Sequence, residues 1–135
     1  IGRQSLDKVL IADVEQLPDH LRIADAVRSR LIGRRKRVVI AASEILEHLA
    51  DPAHLWALID KVNWLSQKRT EVYCTLPVGR IIPSHTMEFR QAADAFDYLS
   101  RYLDISEKWL LRPPATQSPS PYLQECVCVL GVPKS

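Results

Sequence analysis

The sequence predicts an α/β domain with a mostly parallel sheet. Apolar runs at residues 9–14, 38–42 and 71–76 read as strands, and amphipathic stretches with helical spacing separate them. Two further runs, 105–112 and 122–132, have no helical stretch between them, so if they pair with each other they pair antiparallel. The expected architecture is therefore a mostly parallel sheet that ends in an antiparallel hairpin.

Taken in order, the run 9–14 closes with Glu15-Gln16-Leu17-Pro18. Asp19 is placed to cap a helix in which Leu21, Ala24, Val27 and Leu31 recur at three- and four-residue spacing, and Gly33 stops it. Arg34-Arg35-Lys36-Arg37 follows, with Arg28 and Arg30 just upstream. Cations at a helix end favour the negative end of its dipole, and no aromatic residues interleave them to stack bases, so a nucleic-acid partner is not expected.

After the strand 38–42, Asp51 and Pro52 supply a cap and a first-turn proline. Leu55, Leu58, Ile59, Val62 and Leu65 then form a buried stripe, with Trp56 and Trp64 on its flanks. Beyond the strand 71–76, a loop leads to His85, and Phe89, Ala92, Phe96, Leu99 and Leu103 mark another helix face. Residues 113–121 form a proline-rich loop that need not hold one conformation.

Length and composition fit one soluble globular domain, residues 1–135, with no apolar run near the ~20 residues of a membrane span. A formal charge of +2 points to no particular partner. Cys74, Cys126 and Cys128 are odd in number and all lie in strand-like runs. Buried thiols in a reducing, cytoplasmic setting explain them better than a disulfide framework.

The chemistry-bearing stretch is Ala42-Ser43-Glu44-Ile45-Leu46-Glu47-His48-Leu49-Ala50-Asp51-Pro52, at the carboxyl end of a strand, where open α/β sheets bind ligands. It resembles the segment after the fourth strand of class I S-adenosylmethionine-dependent methyltransferases, which carry a serine-glutamate, a leucine-glutamate-histidine and an aspartate-proline at this spacing. Cys74-Thr75-Leu76-Pro77 is similar to the end of their fifth strand, and His85 with Phe89 to the segment before their last helix. The closing hairpin is similar to their sixth and seventh strands. Asp13-Val14-Glu15-Gln16-Leu17-Pro18 is similar to their segment after the third strand, whose aspartate binds the adenine.

The resemblance implies a Rossmann-like, three-layer methyltransferase-type fold, possibly incomplete. It implies S-adenosylmethionine as cofactor, contacted by Asp13, Val14, Ala42, Ser43 and Glu44. It also implies a small-molecule or glycan-type acceptor. His48 is the candidate general base, and His85 a second, useful where the acceptor is a hydroxyl that must lose a proton.

The family's glycine-rich loop is absent, since the glycines are Gly2, Gly33, Gly79 and Gly131. Two expectations remain open. If Asp13 to Pro18 follows a third strand, the chain is the carboxyl-terminal part of a larger enzyme. If the chain is complete, the run 9–14 fills the first-strand slot and Glu15 would bring a carboxylate towards the cofactor's own. Such a domain would be a non-catalytic scaffold or interaction module. A homo-oligomer, or a partner chain completing the sheet, is a further possibility.

On a helical turn, Glu44, Glu47 and His48 would share one face, and with His85 they could form a divalent-metal site. The small-RNA 2′-O-methyltransferases, which this Glu-x-x-Glu-His spacing resembles in part, hold a metal with a fourth ligand that lies further along in a different motif. Carboxylates so spaced are more often solvated, and no metal ligand is assigned from the sequence.

Overall fold

A computed structural model describes residues 10–33, 36–79, 84–112 and 125–134. Its elements run α1 (Leu17–Leu31), β1 (Val38–Ser43), a 3-10 turn (Leu46–His48), α2 (Ala53–Leu65), β2 (Thr70–Val78), α3 (Ala92–Ser100), β3 (Leu103–Leu111) and β4 (Glu125–Pro133). The four strands form one sheet in the order β1-β2-β4-β3.

The fold is α/β, and the sheet is mixed rather than mostly parallel. β1 and β2 are parallel, whereas β4 is antiparallel to both β2 and β3. The expected strand at 9–14 accounts for the difference. Leu10 to Val14 join no sheet, and Ile11 is 86 % exposed. Residues 10–14 form an unpaired lead-in that turns at Asp13, whose carbonyl accepts from the Gln16 amide at 3.0 Å.

Alternate side chains of β2, Val72, Cys74, Leu76 and Val78, point into a core shared with Leu55, Trp56 and Ile59 of α2 and Ala95 and Leu99 of α3. Val127 and Val129 of β4 face the same way. Fully burying one such side chain stabilises by about 1.5–3 kcal/mol, against roughly 1 kcal/mol for a helix cap. The stripe therefore holds α2 in place. Trp56, expected on a flank, is buried, stacks on Tyr102 at 4.4 Å and donates its indole N–H to the Tyr98 hydroxyl at 2.9 Å. Trp64, expected on the other flank, is exposed.

α2 and α3 share one face of the sheet, and α1 packs against α2. Among the described residues this is a two-layer arrangement, not the expected three layers. The opposite face presents Val39, Trp109 and Leu111 to solvent, with Val39 64 % exposed. A bulge between Ile105 and Glu107 bends β3 beside Gly131, where a Cβ would lie 2.6 Å from the Asp104 carbonyl oxygen. At the other end of the chain, Gly33, at φ +66°, ends α1 as expected.

Asp19 lies in the first turn of α1 rather than at its cap, and its carboxylate accepts from the Asp13 amide at 2.7 Å. Arg28 pairs with Asp25 and Arg37 with Glu71, which suits the reading of these cations as ordinary surface charge. Arg34, Arg35 and the loop 113–121 lie outside the described residues. No helix among the described residues is long and apolar enough to cross a membrane.

Candidate metal centre at the carboxyl edge of the sheet

β1 ends at Ser43, and the chain there makes a sharp turn. Glu44 takes φ +52°, a left-handed conformation that costs a non-glycine residue about 1 kcal/mol or more. Thr75 of the neighbouring strand holds it, its hydroxyl accepting from the Glu44 amide at 2.8 Å and lying 3.3 Å from the Ser43 hydroxyl. The kink breaks the single helical face expected for Glu44, Glu47 and His48. The 3-10 turn begins only at Leu46, so Glu44 stands apart from the other two.

Glu47, His48 and His85 converge instead. Each offers one ligand atom, and these atoms lie within 4.8 Å of one another. His48 Nε2 is 3.7 Å from Glu47 Oε1, and the two imidazole rings meet edge to face with centroids 4.7 Å apart. Two ligands bound about 2.1 Å from a tetrahedral cation lie roughly 3.4 Å apart, so small rotamer changes would close the set.

Glu47 is the unusual member, at 1 % exposed, and its Oε2 has no hydrogen-bond partner. An unpaired buried carboxylate oxygen is costly, and native structures rarely keep one without a use. Burial pushes the carboxyl above the ordinary glutamate range. Its own amide and the nearby His48 and His85 pull it down, while Glu44 adds to the rise. One carboxylate and two imidazoles form a donor set suited to zinc, iron(II) or a neighbouring first-row ion, and poorly suited to magnesium or calcium. These residues could hold a divalent cation, although the sequence alone assigned no metal ligand.

Thr86 joins the two halves of the cluster. Its amide donates to the Glu47 carbonyl at 2.6 Å, and its hydroxyl lies 2.5 Å from the Leu49 carbonyl and 3.1 Å from that of Glu47.

The remaining expected site residues are divided along this rim. Ser43 and Glu44 sit at the end of β1 beside Thr75, whereas Ala42 is buried in the core. Asp13 and Val14 lie in the turn before α1, where Val14 packs against the core and its carbonyl is 2.5 Å from His20 Nε2. Glu15 accepts from the Ala50 and Asp51 amides at 2.5 and 3.1 Å, fastening this turn beside the entrance of α2. Its carboxylate is occupied by these amides.

Sequence reasoning left Thr75 and Thr86 out of the site, and it weighed Glu47 only as one of four possible metal ligands. Glu47 stood between Leu46 and Leu49 as a visible signal, a charge inside an apolar stretch, but its depth was not readable. The three thiols are free, as expected, with Cys74 and Cys128 buried. Burial pushes Cys74 up to about 12 and Cys126 up to about 11, so neither is a nucleophile at neutral pH. No family model, no curated protein and no solved structure matches the chain.

Proposed function

We propose that the chain is the acceptor-side part of an S-adenosylmethionine-dependent methyltransferase. In this reading its Glu47–His48–His85 cluster holds a divalent cation that helps a hydroxyl of a small-molecule or glycan-type acceptor lose its proton. The observation that carries the proposal is the convergence of these three side chains, one with an orphaned buried oxygen, at the carboxyl end of β1. Open α/β sheets bind their ligands at that edge.

The order of elements supports the methyltransferase-type reading. Strand, turn, helix, strand, helix and closing antiparallel hairpin run in the sequence that the resemblance implies for the fourth to seventh strands. Ser43 and Glu44 stand at the strand end where that resemblance assigns cofactor contacts, and Asp13 lies in the neighbouring turn.

Methyl transfer needs donor and acceptor aligned and, for a hydroxyl, one proton removed. A divalent cation supplies Lewis acidity toward that hydroxyl. Glu47 anchors the site from beneath, and the more exposed His48 and half-buried His85 close it from the solvent side. A histidine nitrogen that coordinates a cation cannot also accept the proton. Metal-dependent turnover therefore distinguishes ligand from base for His48 and His85.

Titration with cobalt(II), followed by its visible absorption, tests the cluster. One equivalent should bind, and Glu47→Gln, His48→Ala and His85→Ala should each weaken binding at least tenfold. An unperturbed cobalt spectrum in the presence of the protein would remove the metal from the proposal. Calorimetry with S-adenosylhomocysteine tests the cofactor separately, and an absence of heat would remove it.

A second reading, a non-catalytic methyltransferase-like scaffold, is favoured by the glycines. Gly33 ends α1 and Gly131 lies within β4, while Gly79 follows β2 as a single glycine well ahead of α3, so none of these three forms a glycine-rich turn leading directly from a strand into a helix. Low-micromolar binding of S-adenosylhomocysteine would sink that reading. In the scaffold reading a second copy or a partner chain completes the sheet beside its edge strand β1. An apolar groove of about 650 Å³ there is lined by Leu10, Ile23, Val27, Val38 and Val39.

A further inference from the structure

We infer that Thr86 is the positioning residue of the cluster: it fixes His85 against Glu47 and His48. The inference rests on the reading of these three side chains as one site, and it does not require the methyltransferase assignment.

Glu47 and His48 lie on the 3-10 turn after β1, whereas His85 comes from the segment between β2 and α3, described from Ser84 onward. Residues 84–91 include no helix or strand, so no ladder of backbone bonds fixes His85. Two sets of contacts hold the segment. Downstream, Met87 and Phe89 pack on the core, and the Phe89 carbonyl accepts from the Gly79 amide at 2.8 Å. At the site itself, Thr86 makes the polar contacts.

Those contacts fall on the backbone that carries the ligands. The Thr86 amide belongs to the peptide whose carbonyl is that of His85. Its acceptor, the Glu47 carbonyl, belongs to the peptide whose amide is that of His48. One 2.6 Å hydrogen bond thus ties together the backbones from which both imidazoles project.

The hydroxyl adds what the amide cannot. The short turn spends its amides on His48 N–H to Ile45 and Leu49 N–H to Leu46, and its last carbonyls have no partner within the turn. The Thr86 hydroxyl carries one proton and lies 2.5 Å from the Leu49 carbonyl and 3.1 Å from that of Glu47, so it caps the turn end. It is the side-chain contact that sets the spacing between the turn and the His85 backbone. Metal-ligating histidines depend on such outer contacts, whose loss typically costs about 10–100-fold in metal affinity.

Thr86 is itself exposed, so its replacement leaves the core of Met87, Phe89 and Leu99 untouched. Valine keeps its shape and removes the hydroxyl, and serine keeps the hydroxyl. Histidine ring-to-ring contacts, read by nuclear Overhauser effects in the metal-free protein, test the inference directly. The wild type and Thr86→Ser should both show the His48–His85 contact, and Thr86→Val should lose it. Cobalt(II) affinity should fall roughly tenfold or more in Thr86→Val and stay within about threefold of wild type in Thr86→Ser. A His48–His85 contact that persists in Thr86→Val would overturn the inference, as would a serine variant that behaves like valine. Should the wild type bind no cobalt, the metal reading falls alone, and the ring contact still decides the role of Thr86.

Discussion

Glu47 sits at the point where chemistry and stability oppose each other. Its carboxyl is buried without a partner for Oε2, and burial holds it above the ordinary glutamate range. The folded chain therefore keeps the proton at pH values where the unfolded chain has already released it. Stability from this group is fully present below the ordinary glutamate range and is lost as pH rises through the raised value. Glu47→Gln should remove that part of the pH dependence and, at neutral pH, raise the stability of the metal-free chain by about 1 kcal/mol. Urea unfolding across a pH series measures both effects, and a variant less stable than wild type at neutral pH would show the carboxylate to be paired. The same substitution should cost the cation its anchor, so stability and binding move in opposite directions.

Thr75 poses a related question at the end of β1. It is buried, and its hydroxyl satisfies the amide of Glu44, held at φ +52°. Thr75→Val keeps the volume and leaves that amide without its acceptor, which should destabilise by about 1–2 kcal/mol. Glu44→Gly relieves the left-handed conformation and should recover part of the loss in the double variant. A double variant no more stable than Thr75→Val would mean that the turn carries no strain. Chemical denaturation of the three proteins decides it.

Among the elements, those legible in the sequence were the ones whose signal is local. The Val38–Ser43 strand, the apolar stripe of α2 and the closing hairpin announced themselves through β-branched runs and spacing. The run at 9–14 carried the same signal and failed, because a strand needs a neighbour and Leu10 to Val14 pair with none. Pairing and burial depth are tertiary facts. For the same reason Trp56 could not be separated from Trp64 by spacing alone, and Glu47 could not be told from a solvated glutamate. The convergence of His85 on His48 was readable only as far as both loops follow neighbouring parallel strands. The helix entrance offers a test at this scale. Glu15 spans from the turn before α1 to the amides of Ala50 and Asp51, so Glu15→Ala should cost about 1 kcal/mol. Amide exchange should then quicken first at Ala50 and Asp51. Unchanged exchange there would assign the contact no part in holding α1 to α2.

For the whole molecule, a cation on the cluster would join two distant parts of the chain, the turn after β1 and the segment before α3. Beneath them lies Cys74, fully buried at the centre of the sheet, its thiol pushed up to about 12 by burial first and by the charge of Glu47 second. Alkylation of Cys74 therefore requires the core to open, and its rate should follow the population of the open chain when closing outpaces labelling. A cation that binds only the folded chain lowers that population by the factor 1 + [M]/Kd. At one hundred times Kd this amounts to about a hundredfold slowing, or roughly 2.7 kcal/mol. Binding should also release a proton from Glu47 wherever the carboxyl still holds one, so affinity should rise with pH through its raised value. Mass-resolved alkylation of Cys74 with and without the cation measures the first effect, and calorimetry in buffers of different ionisation enthalpy the second. If bound cation left the Cys74 rate unchanged, the thiol would be reached by a local opening that spares the cluster, and the site would be an attachment to the fold's edge. A hundredfold slowing would make the cluster part of the cooperative unit, coupling occupancy of the site to the integrity of the sheet beneath it.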